Sequence, residues 1–71
     1  MKGLFIARDY NDSLYLYFGN EPAKDHESRT WQPDNRPETV FMEIDSSLFP
    51  EVQWTDEKPT KVKLTICNNL P

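Results

Sequence analysis

Residues 13–19, Ser-Leu-Tyr-Leu-Tyr-Phe-Gly, alternate strictly between two kinds of side chain. The leucines and the phenylalanine fall on one side, and Tyr15 and Tyr17 fall on the other. Because successive side chains of a β-strand point to opposite faces of the sheet, this alternation predicts a strand with two distinct faces. The first face is aliphatic and suits a core. The second is aromatic with hydroxyl tips, and suits either a second packing face or a surface that contacts a partner.

Three further segments have the same period. Residues 3–7 precede the first segment, and residues 8–12 between them are rich in Asp and Asn, which favour tight turns. A loop this short predicts an antiparallel hairpin. Residues 39–45 and 60–67 also alternate between apolar and polar side chains. We therefore predict an all-β fold: a small antiparallel sheet of four or five strands, curved or partly closed.

One short helical turn is predicted at residues 46–49. Asp45 or Ser46 is placed to cap it by accepting a hydrogen bond from a free backbone N–H, and Pro50 ends it because proline lacks that donor. This turn closes one end of the sheet, and Val52 alternates toward the same core. The predicted core contains Leu4, Ile6, Leu14, Leu16, Phe18, Val40, Met42, Ile44, Leu48, Phe49, Trp54, Val62, Leu64 and Ile66.

The chain of 71 residues is long enough for one domain, which we place at residues 1–67, with a frayed tail at 68–71. Residues 19–38 interrupt the strand pattern with three prolines and many charged side chains. We predict a long polar loop there, either functional or mobile, because structureless loops of this length are uncommon in compact domains. Trp31 is its only large apolar residue, and a short edge strand over 28–32 is expected around it.

Charge and cysteine content restrict the compartment and the partners. The net charge of −4 disfavours nucleic acid and suits a partner with a basic surface. The lone Cys67 excludes an internal disulfide, which favours the reducing cytoplasm. No apolar stretch has the length of a signal peptide or a membrane span. We expect a cytoplasmic protein without membrane contact, either a monomer or a weak homodimer.

The outward aromatic side chains are the first candidate binding surface. One face of the predicted hairpin carries Phe5, Tyr15 and Tyr17. We expect Phe41 to join this face and Trp31 to fold over it. Tyrosine-rich surfaces bind proteins well because the ring is rigid and amphipathic. Aromatic sheet faces also stack bases in single-strand binders, although this chain lacks their basic groove. The structural alternative is a sheet packed on both faces, with the long loop covering the rings.

Acidic residues dominate positions 43–57, and lysines follow them. If the third and fourth predicted strands are neighbours, Glu43 faces Lys61 or Lys63 in a cross-strand ion pair. The functional alternative is an acidic ridge that contacts a basic partner surface. Its candidate residues are Glu51, Asp56 and Glu57.

Signatures of catalysis and cofactor binding are absent from the sequence. The segment 25–27, Asp-His-Glu, offers a single histidine, and Cys67 has no second cysteine beside it. With two glycines in total, the chain has neither a phosphate-binding loop nor a nucleophile elbow. We predict that the protein is not an enzyme and carries no metal and no cofactor.

Two stretches together resemble a group of short uncharacterised proteins of bacteria and their phages or mobile elements. That group has an "ARD…LYLY" hairpin, a variable middle, an "LFPEV-x-W" segment and a C-terminal strand. The matching residues here are 6–9 with 13–17, and 48–54 with 62–64. The resemblance implies an accessory or regulatory protein of a mobile element and implies no mechanism.

These observations together predict a non-enzymatic protein-interaction module whose partner is another protein. Two alternatives stay open. One is a single-stranded nucleic-acid binder that stacks bases on the aromatic face. The other is a structural module that associates with itself through the edge of the strand at 60–67.

Overall fold

The structure is a computed structural model that describes residues 2–34 and 39–63. Every regular element in these ranges is a strand, which confirms the predicted all-β class. The strands form a four-stranded antiparallel sheet and a separate two-stranded sheet. They are β1 (Lys2–Arg8), β2 (Leu14–Asn20), β3 (Ala23–Asp25), β4 (Thr30–Gln32), β5 (Val40–Ile44) and β6 (Thr60–Val62).

The main sheet has the order β5-β2-β1-β6, and it is open rather than closed. β1 and β2 form the predicted hairpin, with Ile6 opposite Leu16. The connecting turn is held by the Asp9 amide, which donates to the Ser13 carbonyl oxygen at 2.8 Å. The Asn11 side chain accepts from the Ser13 amide, and Asp12 takes a φ of 82°, so Asp and Asn stabilise this turn as predicted.

The segment predicted as a long polar loop instead contains the β3–β4 hairpin. Asp25 Oδ1 accepts hydrogen bonds from the amides of Glu27 and Ser28 and so stabilises the turn between the two strands. The short strand expected over residues 28–32 exists as β4, but it pairs with β3 and not with the edge of the main sheet. Residues 35–38 lie outside the described ranges.

The helical turn predicted at residues 46–49 is not confirmed. The Leu48 amide donates to the Asp45 carbonyl oxygen, and the Val52 amide donates to that of Phe49, which makes two tight turns in succession. Asp45 stabilises the first of these turns, since its Oδ1 accepts from the Ser47 amide at 2.9 Å, but it caps no helix. A φ of 51° at Phe49 turns the chain between the two, so no helix propagates.

Two buried clusters lie on opposite faces of the main sheet. The two successive turns occupy residues 45–52, which we call the turn segment. The aliphatic face buries Ile6 and Leu14 under Val52 from this segment. The aromatic face buries a second cluster, which lies under β4. This cluster contains Phe5, Ala7, Tyr17 and Trp31. The sheet is therefore a middle layer. Among the described residues, the second sheet covers part of its aromatic face, and the two turns cover its aliphatic face only at one end.

The predicted core is correct for Ile6 and Leu14 and wrong for five other residues. Leu4, Leu16, Ile44 and Val62 are half-buried, and Leu64 and Ile66 lie outside the described residues. Trp54 is half-buried but packs on the opposite, aromatic cluster. The exposed residues are Phe18, Val40, Met42, Leu48 and Phe49. Phe18, Val40 and Met42 are exposed because Val52 packs over Ile6 and Leu14, at the other end of the aliphatic face. Leu48 and Phe49 belong to the two turns themselves.

Arg8 fixes the turn segment to the main sheet. Its side chain lies on the aliphatic face and is only 6% exposed. Nε donates to the Val52 carbonyl oxygen at 2.7 Å. Nη1 donates to the carbonyl oxygens of Ser46 and Asp12, at 2.9 Å and 3.0 Å. Nη2 donates to two more carbonyl oxygens of the turns, those of residues 48 and 49. One planar cation thus organises the backbone that covers Ile6 and Leu14.

We expect Arg8→Lys to lower the free energy of unfolding by about 2–4 kcal/mol, because an ammonium group cannot reproduce the fork of donors and leaves buried carbonyl oxygens unsatisfied. Urea denaturation measures this loss. The matched control is Arg29→Lys, since Arg29 is exposed and its guanidinium lies over the Tyr10 ring. The control loss is expected to stay below about 1 kcal/mol. Equal losses in the two variants would contradict the role given to Arg8.

Candidate functional site

The structure brings the five aromatic candidates together, as the sequence predicted. Phe5, Tyr17 and Phe41 stand opposite one another on β1, β2 and β5, and Tyr15 lies on the same face. The Phe41 ring centroid is 5.9 Å from that of Tyr17 and 6.2 Å from that of Tyr15. Trp31 packs onto this face from β4. We call these five residues the aromatic cluster.

Burial excludes three members of the aromatic cluster from a contact surface. Phe5, Tyr17 and Trp31 are 3%, 1% and 4% exposed, so the expectation that they contact a partner is wrong. The structural alternative, in which the segment after β2 covers the rings, describes them correctly. Tyr15 is half-buried and Phe41 is half exposed. Rings that are buried cannot stack on bases, so the nucleic-acid alternative loses its central rings.

Hydrogen bonds fix Trp31 in this position. Its indole Nε1 donates to the Arg8 carbonyl oxygen at 3.1 Å, and its amide donates to Asp9 Oδ1 at 2.8 Å. The Tyr17 hydroxyl donates to the Trp31 carbonyl oxygen at 3.3 Å. Both the side chain and the backbone of Trp31 are thereby tied to the main sheet, which explains why an isolated tryptophan in a polar segment is buried.

Lys24 covers the outer side of Trp31. Its Nζ lies 5.2 Å from the Trp31 ring centroid and 4.3 Å from that of Trp54. It also donates to the carbonyl oxygens of Trp54 and Asp56. An ammonium group between two indoles satisfies its donors and gains cation–π attraction. This arrangement closes the small second sheet against the segment after residue 52.

Asp9 is a buried carboxylate that sequence analysis treated only as a turn residue. It is 7% exposed, and burial raises the pKa of its carboxyl group. The hydrogen bond from the Trp31 amide lowers that pKa, and the Glu43 carboxylate raises it. Burial also raises the pKa of the Tyr17 hydroxyl, with further contributions from Asp9 and Tyr15. No sequence signal distinguishes Asp9 from the other acidic turn residues, because its burial depends on distant Trp31.

The uncovered part of the aliphatic face forms a continuous apolar surface, which we call the open apolar face. Two adjoining depressions of about 480 Å³ and 320 Å³ lie on it, and Leu16 lines both. Phe18, Val40 and Met42 are 59%, 61% and 57% exposed. The open apolar face consists of Leu4, Leu16, Phe18, Val40, Met42 and Val62. All six belong to the predicted core, because alternation shows that a face is apolar but not whether it is covered.

The acidic ridge is only partly a surface. Asp56 is half-buried, and its Oδ2 accepts from the Gln53 amide at 3.0 Å, so it stabilises a turn. Glu51 and Glu57 are exposed. The predicted ion pair of Glu43 with Lys61 or Lys63 is wrong, because Glu43 lies on β5 and the lysines belong to the opposite edge of the sheet.

The Asp-His-Glu segment is part of the β3–β4 turn. Asp25 accepts from backbone amides there, and the His26 ring packs edge-on against Trp54. Across residues 2–34 and 39–63, no group of three potential ligands is placed to hold a metal ion. None of the described residues belongs to a helix that would be long and apolar enough to cross a membrane.

Comparisons with known proteins find no match: no family model matches the chain, and no curated protein or solved structure is significantly similar to it.

We expect the Asp9 carboxyl group to titrate above 3.8 in a carbon-detected NMR titration of the folded protein. Asp25 and Asp45 serve as internal controls, because hydrogen bonds lower their pKa values below 3.8. Since the folded state holds the Asp9 proton more tightly than the unfolded chain, this residue favours folding most below pH 3.8. That contribution is lost as the pH rises through the raised pKa of the folded state. An Asp9 titration below those of the controls would contradict its burial.

Two substitutions of Tyr17 separate packing from hydrogen bonding. Tyr17→Phe removes only the hydroxyl and should cost about 0.5–1.5 kcal/mol in urea denaturation. Tyr17→Ser empties the centre of the buried aromatic cluster and should cost about 3–5 kcal/mol, enough to unfold much of a domain this small. Similar stability of Tyr17→Ser and Tyr17→Phe would show that the ring is not a core element.

Proposed function

We propose that the chain is a non-enzymatic protein-interaction module that associates with a second copy of itself. Its contact surface is the open apolar face together with the outer edge of β5. The observation that carries this proposal is the exposure of Phe18, Val40 and Met42 side by side on neighbouring strands. Soluble monomers rarely expose contiguous apolar patches larger than a few hundred Å², and the larger ones commonly bind another molecule.

The outer edge of β5 supports this assignment. Within the described residues, β5 pairs with β2 on one side only. Its sequence Val-Phe-Met-Glu-Ile contains no proline and no lysine, the residues that usually protect an edge from pairing. Its single charged residue, Glu43, lies on the aromatic face and not on the open apolar face. A fifth strand added here would satisfy the remaining backbone groups of β5 and extend the apolar surface.

The sequence of β5 is complementary to itself. If two copies pair antiparallel about a two-fold axis at Met42, then Met42 faces its counterpart and Val40 faces Ile44 of the second copy. On the other face, Glu43 lies opposite Phe41 of the second copy, so no two carboxylates oppose each other directly. Apolar side chains thus meet on the open apolar face, and the interface is isologous, as in most homodimers. Pairing one short strand buries less area than a standard stable interface, which suits a weak dimer.

The buried charged side chains are consistent with a non-enzymatic role. The guanidinium of Arg8 is engaged by backbone carbonyl oxygens, and Asp9 Oδ1 accepts from the Trp31 amide. Both therefore have structural functions. The lone Cys67 supports a cytoplasmic location, because small secreted domains normally need internal disulfides. The resemblance to short bacterial and phage proteins supports an accessory role in a mobile element.

Sedimentation equilibrium from about 10 μM to about 1 mM spans the dissociation constants expected of a weak dimer. We expect the wild-type mass to rise with concentration and Met42→Lys to stay monomeric. In the variant dimer, two ammonium groups would meet at the two-fold axis, and like charges directly opposite each other destabilise strand pairing. Met42 is 57% exposed, so the variant should fold.

The matched control is Leu48→Lys, which changes another exposed apolar residue outside the open apolar face. It should associate like the wild type. A wild-type protein that is monomeric throughout would overturn the assignment of a second copy as partner. Association that persists in Met42→Lys would overturn the assignment of β5 as the interface.

A further inference from the structure

A small cavity of about 200 Å³ lies on the aromatic face, beside the part that Trp31 covers. Its walls include the rings of Tyr15, Tyr17 and Phe41, whose centroids are 5.9–6.3 Å apart. The three residues of β4 and Pro33 also line it, and Asp9 is among the lining residues. The cavity is smaller than the 300–1,000 Å³ typical of sites for drug-sized ligands. It suits one side-chain head group.

The cavity is negatively charged. Asp9 contributes a buried carboxylate, and Glu43 stands opposite Tyr15 on the same face of the sheet. Among the described residues, no lysine or arginine lines the cavity. Arg8 lies on the opposite face of the sheet, and Lys24 lies against Trp31 and Trp54.

A carboxylate as buried as Asp9 is ordinarily paired with a cation, because desolvation penalises an isolated charge. The hydrogen bond from the Trp31 amide engages its Oδ1 and compensates part of that cost. The remaining carboxylate charge lies among aromatic rings, whose faces attract cations. Two independent features of the cavity, its rings and its carboxylate, therefore favour the same kind of ligand.

We propose that this cavity binds the guanidinium group of an arginine side chain from another protein. A guanidinium is planar and weakly hydrated, so it stacks on aromatic rings while it donates hydrogen bonds to a carboxylate. The site lies on the opposite side of the sheet from the open apolar face and contains none of the six side chains of that face. It gives this acidic chain a second, charge-dependent means of contacting a protein.

The test is an NMR titration of the labelled chain with N-acetyl-arginine methylamide at constant ionic strength. The citrulline analogue is a neutral isostere, and the lysine analogue carries the charge without the planar fork. For a single side chain we expect a dissociation constant on the order of 1–10 mM, with shifts centred on Tyr15 and Phe41. We expect at least about tenfold weaker binding of citrulline and several-fold weaker binding of lysine.

Two variants localise the binding. Asp9→Asn keeps an oxygen that can accept from the Trp31 amide but removes the charge, and it should weaken arginine binding at least about tenfold. Phe41→Leu removes a half-exposed ring and should weaken it several-fold, so it keeps the test valid if Asp9→Asn unfolds. The matched control is Phe18→Leu, which removes an exposed phenylalanine from the opposite face and should leave binding unchanged.

Equal binding of arginine and citrulline would overturn the proposal, as would wild-type affinity in both Asp9→Asn and Phe41→Leu. Lysine binding as tight as that of arginine would overturn the guanidinium assignment. Each of these results is separable from self-association, because Met42→Lys monomers retain every side chain that lines the cavity.

Discussion

The guanidinium of Arg8 is the interaction on which the rest of the aliphatic core depends. The turn segment contains no strand or helix that would hold it in place, and its carbonyl oxygens converge on one buried cation instead. This contact brings Val52 over Ile6 and Leu14. The Arg8 backbone also accepts from the Trp31 indole on the other face. One residue therefore helps to fix the coverings of both faces of the sheet.

The sequence pattern predicted the sheet because alternation is local. The hairpin of β1 and β2 and the third strand at β5 both depend on residues close together in the chain. The pattern could not show which face is covered. That depends on the β3–β4 hairpin, whose Trp31 is placed by hydrogen bonds to Arg8 and Asp9, more than twenty positions earlier. As a result, predicted core residues such as Phe18 and Met42 are exposed, and predicted surface rings such as Tyr17 are buried.

The difference between predicted and observed burial also determines which candidate residues are accessible. The aromatic cluster was found from sequence because its residues share a strand face, but its accessible part is limited to the side near Tyr15 and Phe41. Asp9 was missed because acidic turn residues are common and only tertiary packing buries this one. The open apolar face was recognised as apolar and then assigned to the core. In each case the residue types were informative, and the missing information was what packs against them.

β5 carries both candidate surfaces on alternate side chains, since Phe41 points to one side of the sheet and Met42 to the other. The five residues of β5 therefore connect the proposed hydrophobic self-association with the proposed charge-dependent arginine site. A strand added along β5 would restrict the motion of the strand that positions the Phe41 ring. An arginine bound beside that ring would in turn favour the extended β5 that pairing requires. Thermodynamic linkage makes any such coupling reciprocal. Self-association would therefore change the affinity for arginine by the same factor by which bound arginine changes the affinity of self-association.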